Sequence, residues 1–452
     1  MEKTYRLKTN KMLKLLTGYI LVAVLTFACK ASAQPSLIMD DETQTLLSNI
    51  ISPLFKAADI PFNKNKVYIV NDNSLNAFVS GGNYMFVHTG TLINADNVNE
   101  LSGILAHETG HIAGGHIARQ KLRIEQLQTL SVASLIVAGA TAAASGRGDA
   151  ALAVMLGSQS SLLNAMTAYQ LQEERSADES AVKYLSATGQ SPHGLKNFMK
   201  KIQIHNRLSG YEEIPYFRTH PLSLEREEFF NQALKNNSNP STSVFDKDFK
   251  LVKAKLSAFL LPVEQAKKKY PKTDKSVAGM YANSIIAYKE NNFSKADALL
   301  NELIKKEPSN PYFYELKGQF LFESGNIKEA VKAYEQALKI KPDANDIILS
   351  WAQAKLEDNH TDKQLQKIIT QLNKTVIKSP SATAWLLLAR AYDENKQKAY
   401  ALYSSAQYSL AIGNIKIAKK QIEDALKTAP QSLKLKLNDL KNLIKQKEEN
   451  GN

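Results

Sequence analysis

Apolar positions change their spacing along this chain, and the changes divide it. Leu15 to Ala28 is a continuous run of 14 mostly apolar residues, too short to span a bilayer, which takes about 20. Lys66-Val67-Tyr68-Ile69-Val70 and Tyr84-Met85-Phe86-Val87 are short β-branched and aromatic runs that predict strands, the second preceded by Gly81-Gly82. Asn99 to Arg119 carries apolar residues at helical spacing and predicts one helix. Leu130 to Ala144 is rich in Ala, Leu and Val and is followed by Gly146-Arg147-Gly148-Asp149. That stretch predicts a packed helix and then a loop, with peripheral contact at a membrane surface as the alternative; it too falls short of a span.

Helical spacing dominates the second half, and it repeats. Ala330, Tyr334, Ala337 and Pro342 stand where a 34-residue tetratricopeptide pattern places small, aromatic and proline residues, and Tyr314, Gly318 and Gly325 fit its opening. Ala296, Leu300, Leu303 and Pro308 occupy the equivalent places one period earlier. Gly413, Ala418, Ala425 and Pro430 form a later copy, and Trp385, Leu388, Ala389 and Tyr392 open another. Residues 343–380 fit less well and carry an apparent insertion. Small residues let paired helices approach, aromatics fill the space between pairs, and the stack offers a concave surface to an extended segment or a helix.

Composition refines this division. With 44% hydrophobic and 22% charged residues over 452 positions, the chain can bury more than one core. The polar stretch Asn236 to Ser243 reads as a linker, which sets a boundary near Pro240. A net charge of +13 raises nucleic acid or an anionic surface as partners. Part of that charge is local, however. Lys3, Arg6, Lys8, Lys11 and Lys14 precede the first apolar run, and Ala31-Ser32-Ala33 follows it, which is the layout of a secretory signal peptide. Cleavage after Ala33 leaves about +8, spread without a basic-and-aromatic motif, so the nucleic-acid reading is set aside. Cys29 is the single cysteine and excludes an intramolecular disulfide framework. Lipid attachment at Cys29 is the alternative processing route, disfavoured by bulky Phe27.

The chemistry gathers in the first half, where seven of the eight histidines precede residue 221. His107-Glu108-Thr109-Gly110-His111 lies within the predicted 99–119 helix. Residues i and i+4 are about 40° apart around a helix, so both imidazoles can meet one ion, while Glu108 stands beside it and can serve as general base. Zinc suits such nitrogen and oxygen donors, three from protein with a fourth position open. Two ordinary histidines on a helix are the plainer account, but the apolar frame of Leu101, Ile104, Leu105, Ala106 and Ile112 argues for a buried site. His116 invites a longer three-histidine pattern that needs histidine at 117, where Ile117 stands. The better third ligand lies in Glu173-Glu174-Arg175-Ser176-Ala177-Asp178. Glu174 and Asp178 share a helix face, so one can ligate while the other orients a ligand histidine; a solvated acidic face is the alternative.

These pieces resemble the M48 (Ste24/HtpX-like) zinc metallopeptidases over roughly residues 45–230. The matching segments are Asn76-Ala77-Phe78, Gly81 to Gly90, the motif at 107–111, Glu174 with Asp178, and Thr219-His220-Pro221 with Arg226. The resemblance implies zinc held by His107, His111 and Glu174, with Glu108 and Asp178 as catalytic and supporting carboxylates. The expected architecture is an α+β zincin-like domain followed by an all-α repeat solenoid: signal peptide 1–33, peptidase 34–240, repeats 241–452. Taken with the repeats, it implies a periplasmic protease acting on unfolded or misassembled outer-membrane proteins near their assembly machinery. A chaperone or scaffold with a latent or structural zinc site is the competing expectation. Tyr84, Met85, Phe86 and Val87 are expected either to pair with an extended substrate or to be an ordinary sheet member. His220 is expected to gate the metal, to stabilise the transition state, or to cap a turn.

Overall fold

A computed structural model describes residues 36–123, 125–126, 148–208, 216, 219–221, 223–235 and 243–449. The segment expected to be a signal peptide, the 130–144 stretch and most of the 236–243 linker lie outside the described residues. Among the described residues no helix is long and apolar enough to cross a membrane.

The N-terminal domain is α+β. Asp40 caps the helix Asp41–Ala57 by accepting from the Thr43 N–H, and the helix turns Leu46, Leu47, Ile50 and Leu54 inward. The strands are β1 (Leu37–Ile38), β2 (Val67–Val70), β3 (Ala77–Ser80) and β4 (Tyr84–His88). Their order in the sheet is β1-β2-β4-β3. Asn83 at φ 63° and Gly82 at φ 84° turn β3 into β4. Alternation sends Met85 and Val87 to the core and leaves Tyr84 and Phe86 on the other face.

That order corrects one expectation. β4 is paired parallel with β2 through Val67↔Met85 and antiparallel with β3 through Val79↔Met85. Its backbone groups are therefore spent on both sides, and Tyr84, Met85, Phe86 and Val87 cannot take up a substrate strand. They are an ordinary sheet member. The outer strand on that side is β3, which lies against the helix Val98–Ala113.

That helix also ends earlier than its pattern suggested. The side chain of Asn97 caps its start by accepting from the Glu100 N–H. At its end a turn at Gly114–Gly115 interrupts it, with Gly115 at φ 65°. Helices Gly148–Ala187 and His193–Leu208 pack across it. A Cβ on Gly110 would lie 2.8 Å from the Ala177 carbonyl oxygen, so glycine here is what lets the two helices close.

From Val277 onward the chain is helical hairpins. Helices begin at Val277, Pro311 and Asn345, 34 residues apart, and the next opens at Ala382, 37 residues on. The misfit in 343–380 is the helix Asp362–Lys378, 17 residues long where Phe293–Lys306 and Ile327–Ile340 have 14. Asp246–Leu260 joins the two halves: Phe249, Val252 and Leu256 enter the peptidase core while Leu251, Ala254 and Ala258 enter the first repeat core.

Candidate metal centre

His107, Glu108 and His111 are all buried on the Val98–Ala113 helix. Glu174 and Asp178 reach them from Gly148–Ala187, and His220 from the segment ahead of Leu224–Ala233. One ligand atom each from His107, His111, Glu174 and His220 lie within 4.8 Å of one another. The Nε2 atoms of His107 and His111 face each other at 3.0 Å. Both are 3.3 Å from a Glu174 oxygen, Oε2 for His107 and Oε1 for His111. His220 Nδ1 is 3.0 Å from Glu174 Oε1 and 3.3 Å from His107 Nε2.

The outer contacts fix these rings. His107 Nδ1 meets Asp178 Oδ1 at 2.8 Å, and His111 Nδ1 meets His116 Nδ1 at 2.8 Å. Arg226 donates to both Asp178 oxygens, Nε to Oδ2 at 2.6 Å and Nη2 to Oδ1 at 2.9 Å, and its Nη1 lies 3.0 Å from Glu174 Oε2. Burial would push Glu174 up, but the charge of His220 and hydrogen bonds from the surrounding imidazoles hold it well below the usual carboxylate range. Burial likewise opposes the charge on Asp178, and Arg226 outweighs it and keeps the group ionised. His111 is pushed down to about 3 by burial, so its ring is neutral. His107, despite its burial, is pulled up to about 10 by Asp178 and Glu174. Glu108 is raised, chiefly by burial.

The donor set fits a divalent ion of the zinc type. Nitrogens of His107, His111 and His220 and a carboxylate oxygen of Glu174, carried on three separate segments, converge within 4.8 Å of one another in a buried space. Two histidines and a carboxylate are also a ligand set zinc accepts. Both Glu108 oxygens and His220 Nε2 are buried with no hydrogen-bond partner among the described residues, although the pair stands 3.4 Å apart. A carboxylate left unpaired beside the donor cluster is placed to act on a molecule that enters it.

Residues 41–233 match the model of Peptidase family M48, and residues 281–345 match a tetratricopeptide-repeat model. The match to peptidase family M48 spans the domain that carries the donor cluster. The chain is thus a metalloprotease, a hydrolase of peptide bonds, followed by tetratricopeptide repeats. The beta-barrel assembly-enhancing protease of Yersinia pestis is 24% identical over 373 residues, covering 79% of this chain and 75% of that protein. Its namesake in Escherichia coli (strain K12) is 25% identical over 338 residues, covering 72% of this chain and 66% of that protein. A protease HtpX homolog of Listeria welshimeri is 32% identical over 122 residues, or 26% of this chain and 39% of that one.

The M48 domain brings together all six residues singled out in the sequence around the motif: His107, Glu108, His111, Glu174, Asp178 and His220. Sequence reasoning missed two neighbours. His116 was weighed only as a ligand of a longer pattern, yet its ring lies against His111. Tyr216 is fully buried with its ring 4.4 Å from that of His220, and a lone aromatic ahead of a loop gives no signal in sequence.

Proposed function

We propose that this chain is an exported zinc endopeptidase of the Gram-negative envelope, whose repeats recruit partners or substrates in the assembly and quality control of outer-membrane barrel proteins. The observation that carries the peptidase half is the convergence of buried ligand atoms from His107, His111, Glu174 and His220 beside an unpartnered Glu108. The names of the relatives support the assembly role, and the signal-like N-terminus supports a periplasmic location.

His107, His111 and Glu174 would hold the zinc, one ion per chain. When bound, it would polarise the scissile carbonyl and acidify the attacking water. Asp178 accepts from His107 Nδ1–H and so keeps Nε2 free for the metal. Glu108 accepts the proton of the attacking water on a carboxylate oxygen and returns it to the leaving amine. β3, rather than β4, is the strand we assign to an extended substrate, because it is the outer strand beside the motif helix. His220 fits the gating role: its Nδ1 sits within the donor cluster, where it fills the position a substrate would need. That placement also favours the competing reading, a chaperone or scaffold with a latent site.

Digestion of casein and of an unfolded outer-membrane protein, with wild type beside Glu108→Gln and zinc content measured in both, separates the two readings. Cleavage by the wild type only, at equal zinc, is expected. Equal inactivity of both proteins would leave the scaffold. His220→Ala is expected to raise basal and self-cleavage.

A further inference from the structure

Buried polar atoms without a partner are uncommon, because each forfeits the hydrogen bond it had in water. Among the described residues four of them belong to Glu108, His220 and the tyrosine stacked on His220: both Glu108 carboxylate oxygens, His220 Nε2 and the Tyr216 hydroxyl. The proposed mechanism accounts for Glu108 and His220. It leaves Tyr216 unexplained.

The Tyr216 side chain has little freedom. Its ring lies on the His220 imidazole, with centroids 4.4 Å apart and planes at 30°, and meets the Phe198 ring edge-on at 5.9 Å. Its backbone carbonyl accepts from the His220 N–H at 2.8 Å, which ties the two residues together. The residue has 0% exposure, so the hydroxyl does not reach bulk water. A phenylalanine would fill the same space without burying an unpaired hydroxyl. Nor is the hydroxyl spent on the Glu108 carboxylate, since neither Glu108 oxygen has a hydrogen-bond partner among the described residues. A phenol carries its proton at neutral pH, so the hydroxyl is available as a donor.

The unpaired groups therefore comprise two acceptor oxygens on Glu108 and a hydroxyl donor on Tyr216. A peptide under attack needs both kinds. The water gives up its proton to an acceptor while the carbonyl oxygen takes up negative charge and needs donors. We propose that the Tyr216 hydroxyl is a further catalytic residue, donating a hydrogen bond to the carbonyl oxygen of the scissile peptide as the tetrahedral intermediate forms. The proton stays on Tyr216 throughout, and no bond to the residue is made or broken. Because His220 covers one face of the ring, a substrate that displaces the imidazole also uncovers Tyr216. This assignment rests on the peptidase reading above.

The test uses the full chain as wild type, Glu108→Gln and Tyr216→Phe, with an unfolded protein as substrate. Tyr216→Phe is expected to lower kcat roughly a hundredfold, the usual cost of one lost oxyanion donor, and to leave KM within about twofold. A phosphinic peptide, which resembles the intermediate, should bind the variant weaker by a similar factor. Zinc content should be unchanged, and Tm of the metal-free protein should equal or exceed that of wild type, because an unpaired buried hydroxyl has been removed. A kcat within about threefold of wild type, while Glu108→Gln is dead, overturns the donor role alone. A lower Tm or lost zinc in Tyr216→Phe overturns it by making the hydroxyl structural. Inactivity of wild type to the level of Glu108→Gln removes the peptidase reading, and the donor role with it.

Discussion

Each imidazole that we propose as a ligand is held by a second group. Asp178 holds His107 and is itself clamped by Arg226; His116 holds His111. With His111 Nε2 turned toward the donor cluster, its Nδ1 carries the hydrogen and donates to His116 Nδ1. Burial keeps His116 neutral, with its pKa pushed down to about 4, so it can accept. Partners of this kind typically change metal affinity 10–100-fold. His116→Leu should therefore weaken zinc binding by roughly that range, read by competition with a chelator of known affinity. His116→Asn, which keeps an acceptor near the same place, should recover most of it. Equal affinity in wild type and the leucine variant would exclude the positioning role. Glu174→Ala removes the oxygen ligand we propose and should cost more metal than either. The motif itself was legible because i, i+4 spacing is a property of one helix. His116 was not. On an unbroken helix it would point about 140° away from His111, and only the turn at Gly114–Gly115 folds it back.

Among the elements, the packing that makes the site possible depends on a residue inside the motif. A Cβ at Gly110 meets backbone, the Ala177 carbonyl oxygen at 2.8 Å, and backbone yields less readily than a side chain. Gly110→Ala gains up to ~1 kcal/mol of helix propensity and loses about 1–3 kcal/mol through overpacking. The expected net result is a lower denaturation midpoint together with weaker zinc binding, because the Gly148–Ala187 helix carries Glu174. An alanine variant as stable as wild type with full zinc affinity would show that the helices can part without consequence. The strands were legible in their β-branched runs, but period-two alternation states which face is buried and not which neighbours a strand has. That is why Tyr84–Val87 could be read as a substrate strand until β2 and β3 were found on either side of it. The repeats were more transparent, since a fixed 34-residue period is a statement about neighbours along the chain.

In the whole molecule, what sequence hid most is how the halves join. Composition placed a boundary in the 236–243 linker, yet Phe249, Val252 and Leu256 beyond it pack into the peptidase core. We propose that the peptidase unit extends through Leu260. A fragment ending after Leu261 should be soluble and bind zinc, whereas one ending at Pro240 exposes the groove that those three side chains fill and should aggregate. Beside that helix, Lys255 Nζ stands 2.5 Å from Asp40 Oδ1, 3.4 Å from Glu42 Oε2 and 3.7 Å from Glu315 Oε2. Tyr281 donates to Glu42 at 3.0 Å, and Lys341 pairs with Asp41 at 2.5 Å. Asp346 adds to the same field, so five carboxyl groups share two ammonium groups where the first helix meets the repeats. Burial raises Glu42 to about 7, against the pull of Lys255, and raises Asp346 to about 7 with help from Asp40 and Asp41. A carboxyl whose pKa is higher folded than unfolded binds more protons in the folded state. Its contribution is complete below the unfolded value near 4.5 for Glu42 and is lost as pH rises through about 7. Asp40, Glu174 and Asp178 are held low and have the opposite sign, gaining stability as pH rises, but their window lies below about pH 4.5. Between pH 4.5 and 7 the junction should therefore destabilise the protein with rising pH, by up to ~1.4 kcal/mol per pH unit for one such group. Glu42→Gln removes that proton uptake and leaves the metal site untouched. Denaturant unfolding of wild type and Glu42→Gln across pH 4.5–7.5 should show the stability of wild type relative to the variant falling as pH rises, a difference from which the opposite-sign contributions of His111 and His116 cancel. Parallel curves would mean that Glu42 is already ionised in the folded protein and that Lys255 satisfies it.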